Sequence, residues 1–382
     1  MFLLRNDIQL ECHWLQIIWI RIFKIYQHFK TRNHYNLLNV YTVEVSLSDM
    51  SDTELTYDSY LGLDKLLHCQ DLETEKAGNK VDEEHLFIIV HQVFELWFKQ
   101  ILVDLRTIVG TFPKLDVKNR DFAGIPSKLG RIILILKLII GHFEIIETMP
   151  PATFLNFRKY LKSGSGFQSL QFRLIENTLG LLKETRKAHK QGKDYTDEFN
   201  ATQRVEAEKS EKGPSLFAVF ENWLERIFRE FVDDKKTYCD GLEKMVDAWS
   251  KDAGNQCDKD ALMGIIEEKK YEKSGKRLSY EAFHGALLIS LYQEDPEFQK
   301  AYETIKLVMD VDALVSKWRH SHVLMVHRML GKKTGTGGTS GYDYLKKTNE
   351  DDYRVFIELF HLSAFLIPYE YKPKAALYKQ GE

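Results

Sequence analysis

Cysteine is scarce in this sequence. Four residues among 382, Cys12, Cys69, Cys239 and Cys257, sit far apart with no CxxC pair. Such spacing argues against a disulfide scaffold or a cysteine zinc site and suits free thiols in a reducing, cytoplasmic setting. Charge of one sign is also lacking: 53 Lys and Arg against 56 Asp and Glu leave a formal charge of -3. No overall field therefore points to nucleic acid or to an anionic membrane surface. A long apolar run is missing from the N-terminus too. The most apolar N-terminal stretch, around Trp14 to Phe23, is cut by Arg21 and Lys24 well short of the ~18–20 residues of a membrane span, and no small-residue cleavage site follows. Residues 1–48 read as an atypical extension, disordered or foreign to the folded protein, and residues 49–382 as a single domain. Strand-like alternation is nearly absent, no repeat period is visible, and HExxH and DxDxDG motifs do not occur. Zinc-protease and EF-hand chemistry lose support accordingly.

What the chain has is helical periodicity. Phe87, His91, Phe94, Phe98, Ile101 and Leu105 recur at three and four, which predicts a helix over 85–109. The apolar run 132–146 predicts a buried helix stopped by Pro150 and Pro151. Pro214 opens a segment whose Phe217, Phe220, Trp223, Leu224, Ile227, Phe228 and Phe231 line one face. Helices are expected over 278–292, over 314–330 with Gly331 at the end, and over 353–367 up to Pro368. Together these predict an all-α bundle. A charged excursion around 183–275 interrupts it; its first part, 183–212, reads as exposed helix, linker or mobile segment. Gly335, Gly337, Gly338 and Gly341, interleaved with Thr334, Thr336, Thr339 and Ser340, form a low-complexity loop.

His91 follows Phe87 by four residues on one apolar helix, and His322 follows Trp318 by four on another. A core histidine satisfied by a neighbour explains either position taken alone. Two such imidazoles on different helices also suit a planar cofactor between them, one as axial ligand and one over the open face. The glycine loop lacks the GxxxxGK[ST] order and a preceding strand, so it reads as a flexible cover whose Thr336 hydroxyl can meet a polar ligand. Arg158, in NFRKYL, is a surface charge or, facing a pocket, a fork that fits a carboxylate.

Several long strings then carry a resemblance: YDSYLGLDKLL, EEHLFIIVHQVFELWFKQIL, NFRKYLKSGSGFQSLQFRLIEN and KWRHSHVLMVHRMLGKKTGTGGTSGYDYL. In this order, from about Leu55 to about Pro373, the chain resembles the tryptophan 2,3-dioxygenase family. Asp82 departs from it, standing where many members carry histidine.

The resemblance implies a haem b in each subunit with His322 of WRxxH as axial ligand and Trp318 beside it, His320 and His327 falling outside the ligand position. It implies Phe87 and His91 in the distal pocket, with His91 near the indole nitrogen as the catalytic histidine, in a positioning role. Arg158 would bind the substrate carboxylate and Thr336 the amino-acid head group, with Ser165 and Gly166 bordering the site. Tyr57 and Tyr60 would cross to a neighbouring subunit's pocket in a homotetramer. The implied reaction cleaves the C2–C3 bond of the indole of L-tryptophan with O2, giving N-formylkynurenine. A haem sensor or carrier would keep His322 without needing a carboxylate clamp, and a purely structural helical protein would use the aromatic faces as core. The indoleamine dioxygenases share the chemistry, but GTGGTSGYDYL and FQSLQFR resemble the tryptophan-restricted family.

Overall fold

A computed structural model describes residues 55–115, 122, 124–162, 164–186, 194–253, 258–333, 341–373 and 377–379. Among the described residues the regular structure is entirely helical. The chain divides into two compact units, residues 1–66 and 67–382. The described part of the first carries the one-turn helix α1 (Tyr57–Leu61), capped by Thr56 and closed by Gly62 at φ 62°, a left-handed turn that glycine adopts at little cost. A second short helix, α2 (Leu63–Leu67), follows directly.

In the second unit, α3 (Glu73–Lys76) leads into α4 (Asp82–Thr111), longer at both ends than the periodicity predicts. Glu84, 1% exposed, explains the entry. Its carboxylate accepts from the amides of Glu73 and Thr74 and from the Thr74 hydroxyl, tying α3 to the first turn of α4. Helix α5 (Ile125–Ile146) ends before the prolines. Pro151, expected as a stop, is instead the first residue of α6 (Pro151–Arg158), where its missing N–H costs no helix bond. Helix α7 (Leu170–Leu179) follows, capped by Ser169. In the charged excursion, Asn200 caps α8 (Ala201–Lys212), so that part of the stretch is helix lying against α7.

Ser215 caps α9 (Leu216–Phe231), and α10 (Lys235–Ala253), α11 (Lys259–Ile266), α12 (Glu268–Lys273) and α13 (Tyr280–Leu291) follow. Helices α9 and α13 approach closely: a Cβ on Gly285 would stand 2.3 Å from the Leu224 carbonyl oxygen. Helix α14 runs from Gln299 to Leu330, starting well before the expected 314. Helix α15 (Gly341–Lys347) comes next. The continuous helix expected over 353–367 is not formed. Short 3-10 turns flank α16 (Ile357–His361), because the Asp312 carboxylate captures the amides of Val355 and Phe356 at 2.9 and 3.4 Å.

Helices α4, α5, α7 and α14 pack together, as do α9 and α13. The Phe112 ring, against Phe220 and Trp223 at 5.9 and 5.6 Å, joins the two groups in one core. Each fully buried aromatic contributes about 1.5–3 kcal/mol of transfer free energy. By length and apolar content α4 matches a membrane span, but Val90, Phe94, Phe98, Ile101, Leu105 and Ile108 on it face protein.

Candidate active site

The first half of α4 projects Phe87, His91, Phe94 and Phe98 along one stripe, the i, i+4, i+7, i+11 spacing of a helix face. The rings of Phe87 and His91 lie 4.1 Å apart. His91 Nδ1 is 2.7 Å from the Phe87 carbonyl oxygen. A carbonyl only accepts, so Nδ1 carries the proton and Nε2 of the neutral ring is the acceptor. Burial lowers the pKa of His91, outweighing the Phe87 bond and the nearby Glu95 charge, which raise it. The ring is therefore neutral near pH 7.

From α14 come Trp318 and His322, their rings stacked at 5.3 Å. Helix α5 adds Phe143, stacked on His322 at 6.0 Å and 5.6 Å from Trp318. Phe94 closes the wall, 6.4 Å from His91, 5.3 Å from Phe143 and 5.9 Å from Trp318. One aromatic surface thus runs from the first histidine to the second, across residues more than 200 positions apart in sequence. Burial, with smaller contributions from the His91 and Arg173 charges, pushes the His322 pKa down to about 4. That keeps the imidazole neutral, as an axial ligand must be.

Both imidazoles are only half-buried by accessible surface, yet desolvation is the largest influence on each. Beside His322, Trp318 Nε1 is buried and has no hydrogen-bond partner among the described residues. Two neutral imidazoles on facing helices, an aromatic lining and an orphaned indole donor fit a haem held by one histidine. No cluster of three or more His, Cys, Asp or Glu occurs among the described residues, so nothing there offers a multi-ligand metal site.

Helix α6 reaches the same place from another side. Phe154 and Phe157 pack on Phe87 at 5.8 and 5.6 Å, and half-buried Arg158, four residues after Phe154, ends that helix. Beyond it, Lys162 has φ 51°, an uncommon left-handed value for a side-chain-bearing residue, at the turn before Ser165. Ser165 is half-buried and caps the 3-10 turn Gly166–Gln168; Gly166 is exposed.

Glu95, which the sequence pattern does not single out, ties this turn to α4. Its carboxylate accepts from Ser169 Oγ at 2.5 Å and from Gln171 Nε2 at 2.9 Å, while Gln171 also donates to the Glu95 carbonyl. The one sequence signal for it is its place four residues after His91. Also unforeseen is a buried ionic cluster behind Trp318. Glu176 accepts from Arg173 at 2.9 Å and from Arg319 at 2.8 Å, with Arg186 Nε 3.6 Å away. Burial raises the Glu176 pKa, but the three guanidiniums overcome it and hold the carboxyl down to about 2.

The remaining expected residues lie elsewhere. His320 and His327 are exposed, and His327 stacks on Tyr342 at 4.1 Å, away from the His322 face. Tyr57 and Tyr60 are 77% and 59% exposed in the isolated chain. Thr336 falls outside the described residues.

A family model described as tryptophan 2,3-dioxygenase matches residues 42–366, beginning inside the 1–48 stretch. The mouse protein named "Tryptophan 2,3-dioxygenase" is 41% identical over 342 residues, covering 84% of each chain. A Xenopus laevis protein of the same name is 40% identical over 354 residues, 86% of each. "Tryptophan 2,3-dioxygenase A" of Danio rerio is 37% identical over 353 residues, 87% of each.

Proposed function

The chain belongs to the tryptophan 2,3-dioxygenase family, and from that membership we propose that it cleaves the C2–C3 bond of the indole of L-tryptophan with O2. The product is N-formylkynurenine, at the first step of tryptophan degradation by the kynurenine pathway. The observation that carries this reading is the pair of neutral imidazoles, His91 and His322, joined by one aromatic wall.

In this reading one haem b per subunit is held by His322, with Trp318 packed against the ligand ring. The haem supplies the oxygen chemistry. The protein's part is to bind, orient and dry the substrate. Phe87 and the aromatic wall take the indole, and His91 Nε2 accepts a hydrogen bond from the indole N–H. Indole N–H is a very weak acid, so His91 fixes the ring rather than serving as an obligatory base. Arg158 pairs with the substrate carboxylate through its planar fork, and Thr336 meets the head group. Ser165 and Gly166 border the site, held against α4 by Glu95. Fixing both ends of the substrate converts binding energy into orientation.

The working enzyme is proposed to be a cytoplasmic homotetramer without nucleic-acid or membrane partners, in which Tyr57 and Tyr60 enter a neighbouring subunit's pocket. Their exposure in the isolated chain supports this, as do Leu134, Leu138 and Ile145, exposed at i, i+4 and i+11 along α5. The deciding experiment is aerobic incubation of the reduced, haem-loaded protein with L-tryptophan. N-formylkynurenine is the expected product; unchanged tryptophan would refute the assignment.

A further inference from the structure

Behind the aromatic wall the protein buries more positive than negative charge. Arg173, Arg186 and Arg319 surround the single carboxylate of Glu176, and all four side chains are at most 10% exposed. Three guanidiniums against one carboxylate leave an excess of two positive charges. The next layer adds Lys183 with Asp194 and Glu211, and an excess of one remains when it is included. The arrangement is not an optimised ion pair. Arg186 Nε and Nη1 and Arg319 Nε are buried without hydrogen-bond partners among the described residues. Leaving such donors unmet costs free energy, so a role in plain stability explains the cluster poorly.

Its position suggests another role. Arg319 is the residue after Trp318 and three before His322 on α14, while Phe172, beside Arg173, lies 4.7 Å from the Trp318 ring. One aromatic layer separates the cluster from His322. In such a layer there is little water to screen a fixed charge, so its field is felt far more strongly than at the surface.

We propose that the Arg173–Arg186–Arg319–Glu176 cluster sets the ferric/ferrous balance of the haem held by His322, its excess positive charge favouring the ferrous form. The inference rests on the haem reading above. Reduction adds one electron to the iron and makes or breaks no other bond, and a fixed positive charge nearby stabilises the less positive state. The cluster thus works by charge, without touching substrate or haem iron.

The test is a spectroelectrochemical titration of the haem-loaded protein, with mediator dyes supplying the electron. Arg186→Gln removes one positive charge and should lower the midpoint potential, on the order of a tenfold change in the ferrous-to-ferric ratio at fixed solution potential, ~59 mV for one electron. Glu176→Gln removes the negative charge and should shift the potential upward. Arg186→Lys keeps the charge and should stay near wild type. A pocket merely loosened by mutation would not give shifts of opposite sign. Shifts in the same direction, or none, overturn the proposal. Should Glu176→Gln not fold, the Arg186 pair still decides: an equal drop in Arg186→Lys and Arg186→Gln overturns it. A wild-type protein without a Soret band overturns the haem reading itself, whereas a normal Soret band with unmoved potentials overturns this proposal alone.

Discussion

His91 donates from Nδ1 to the carbonyl oxygen of Phe87, 2.7 Å away and one helical turn earlier. This bond fixes the tautomer and the ring plane together, so Nε2 is presented as a lone-pair acceptor before substrate arrives. Because burial holds the ring's pKa below its usual value, the acceptor survives into mildly acidic solution. Acidification through that lowered pKa should reduce kcat/KM for tryptophan, since protonated Nε2 donates instead of accepting. His91→Ala should lose this acid limb. Its persistence in the variant would assign the limb to another group.

Axial ligation should be specific to His322. His322→Ala is expected to purify without a Soret band, while His320→Ala and His327→Ala keep theirs, because both of those residues are exposed at other angles around α14. Retention of haem in His322→Ala together with loss in either of the others would reverse the assignment.

Carboxylate recognition should appear in substrate choice. Tryptamine, which lacks the group, forgoes the charge-assisted contact with Arg158, and losing such a contact typically costs ~3–5 kcal/mol when the charge is desolvated. A drop in kcat/KM of about a hundredfold or more is expected. Arg158→Lys should also impair tryptophan turnover, because a point charge does not replace a planar fork. Equal efficiency with tryptamine and tryptophan would sink the idea.

Subunit sharing can be tested by complementation. A Tyr57→Ala/Tyr60→Ala protein should keep haem but bind tryptophan weakly. Reassembled with Arg158→Ala chains it should regain activity, since some sites then combine an intact Arg158 with intact tyrosines from the neighbour. Mixed oligomers, verified by mass, that are no more active than the separate mutants would count against shared pockets.

Acid stability should be governed in part by His284, away from the site. It is fully buried, bonded to the Ile265 carbonyl at 3.0 Å and to Tyr238 Oη at 3.2 Å, and burial pushes its pKa down to about 4. Between pH ~6.5 and ~4 the unfolded chain binds the proton that the folded chain refuses, so stability falls as pH is lowered through that window. The expected contribution is on the order of a few kcal/mol. Urea melts across the window should show a shallower decline for His284→Gln, which retains a donor and an acceptor. An unchanged slope would place the acid sensitivity elsewhere.

Much of this protein was legible from sequence because helices are local. Periods of three and four set the inward faces of α4, α5, α9 and α14. The strings around His91, Arg158 and His322 pointed to the family and to the residue types its chemistry uses.

Tertiary structure decided what local patterning does not encode. Periodicity over 353–367 suggested one helix, but a carboxylate more than 40 residues upstream takes its amides and breaks it. Glu95 looks like any polar residue on a helix until Ser169 and Gln171 arrive from 74 and 76 residues away. Glu176 and Arg319, 143 residues apart, become a buried pair only when α7 and α14 meet. Such contacts depend on how helices cross, and crossing is settled by packing of the whole core; that is why periodicity could propose His91 and His322 but could not bring them to one wall.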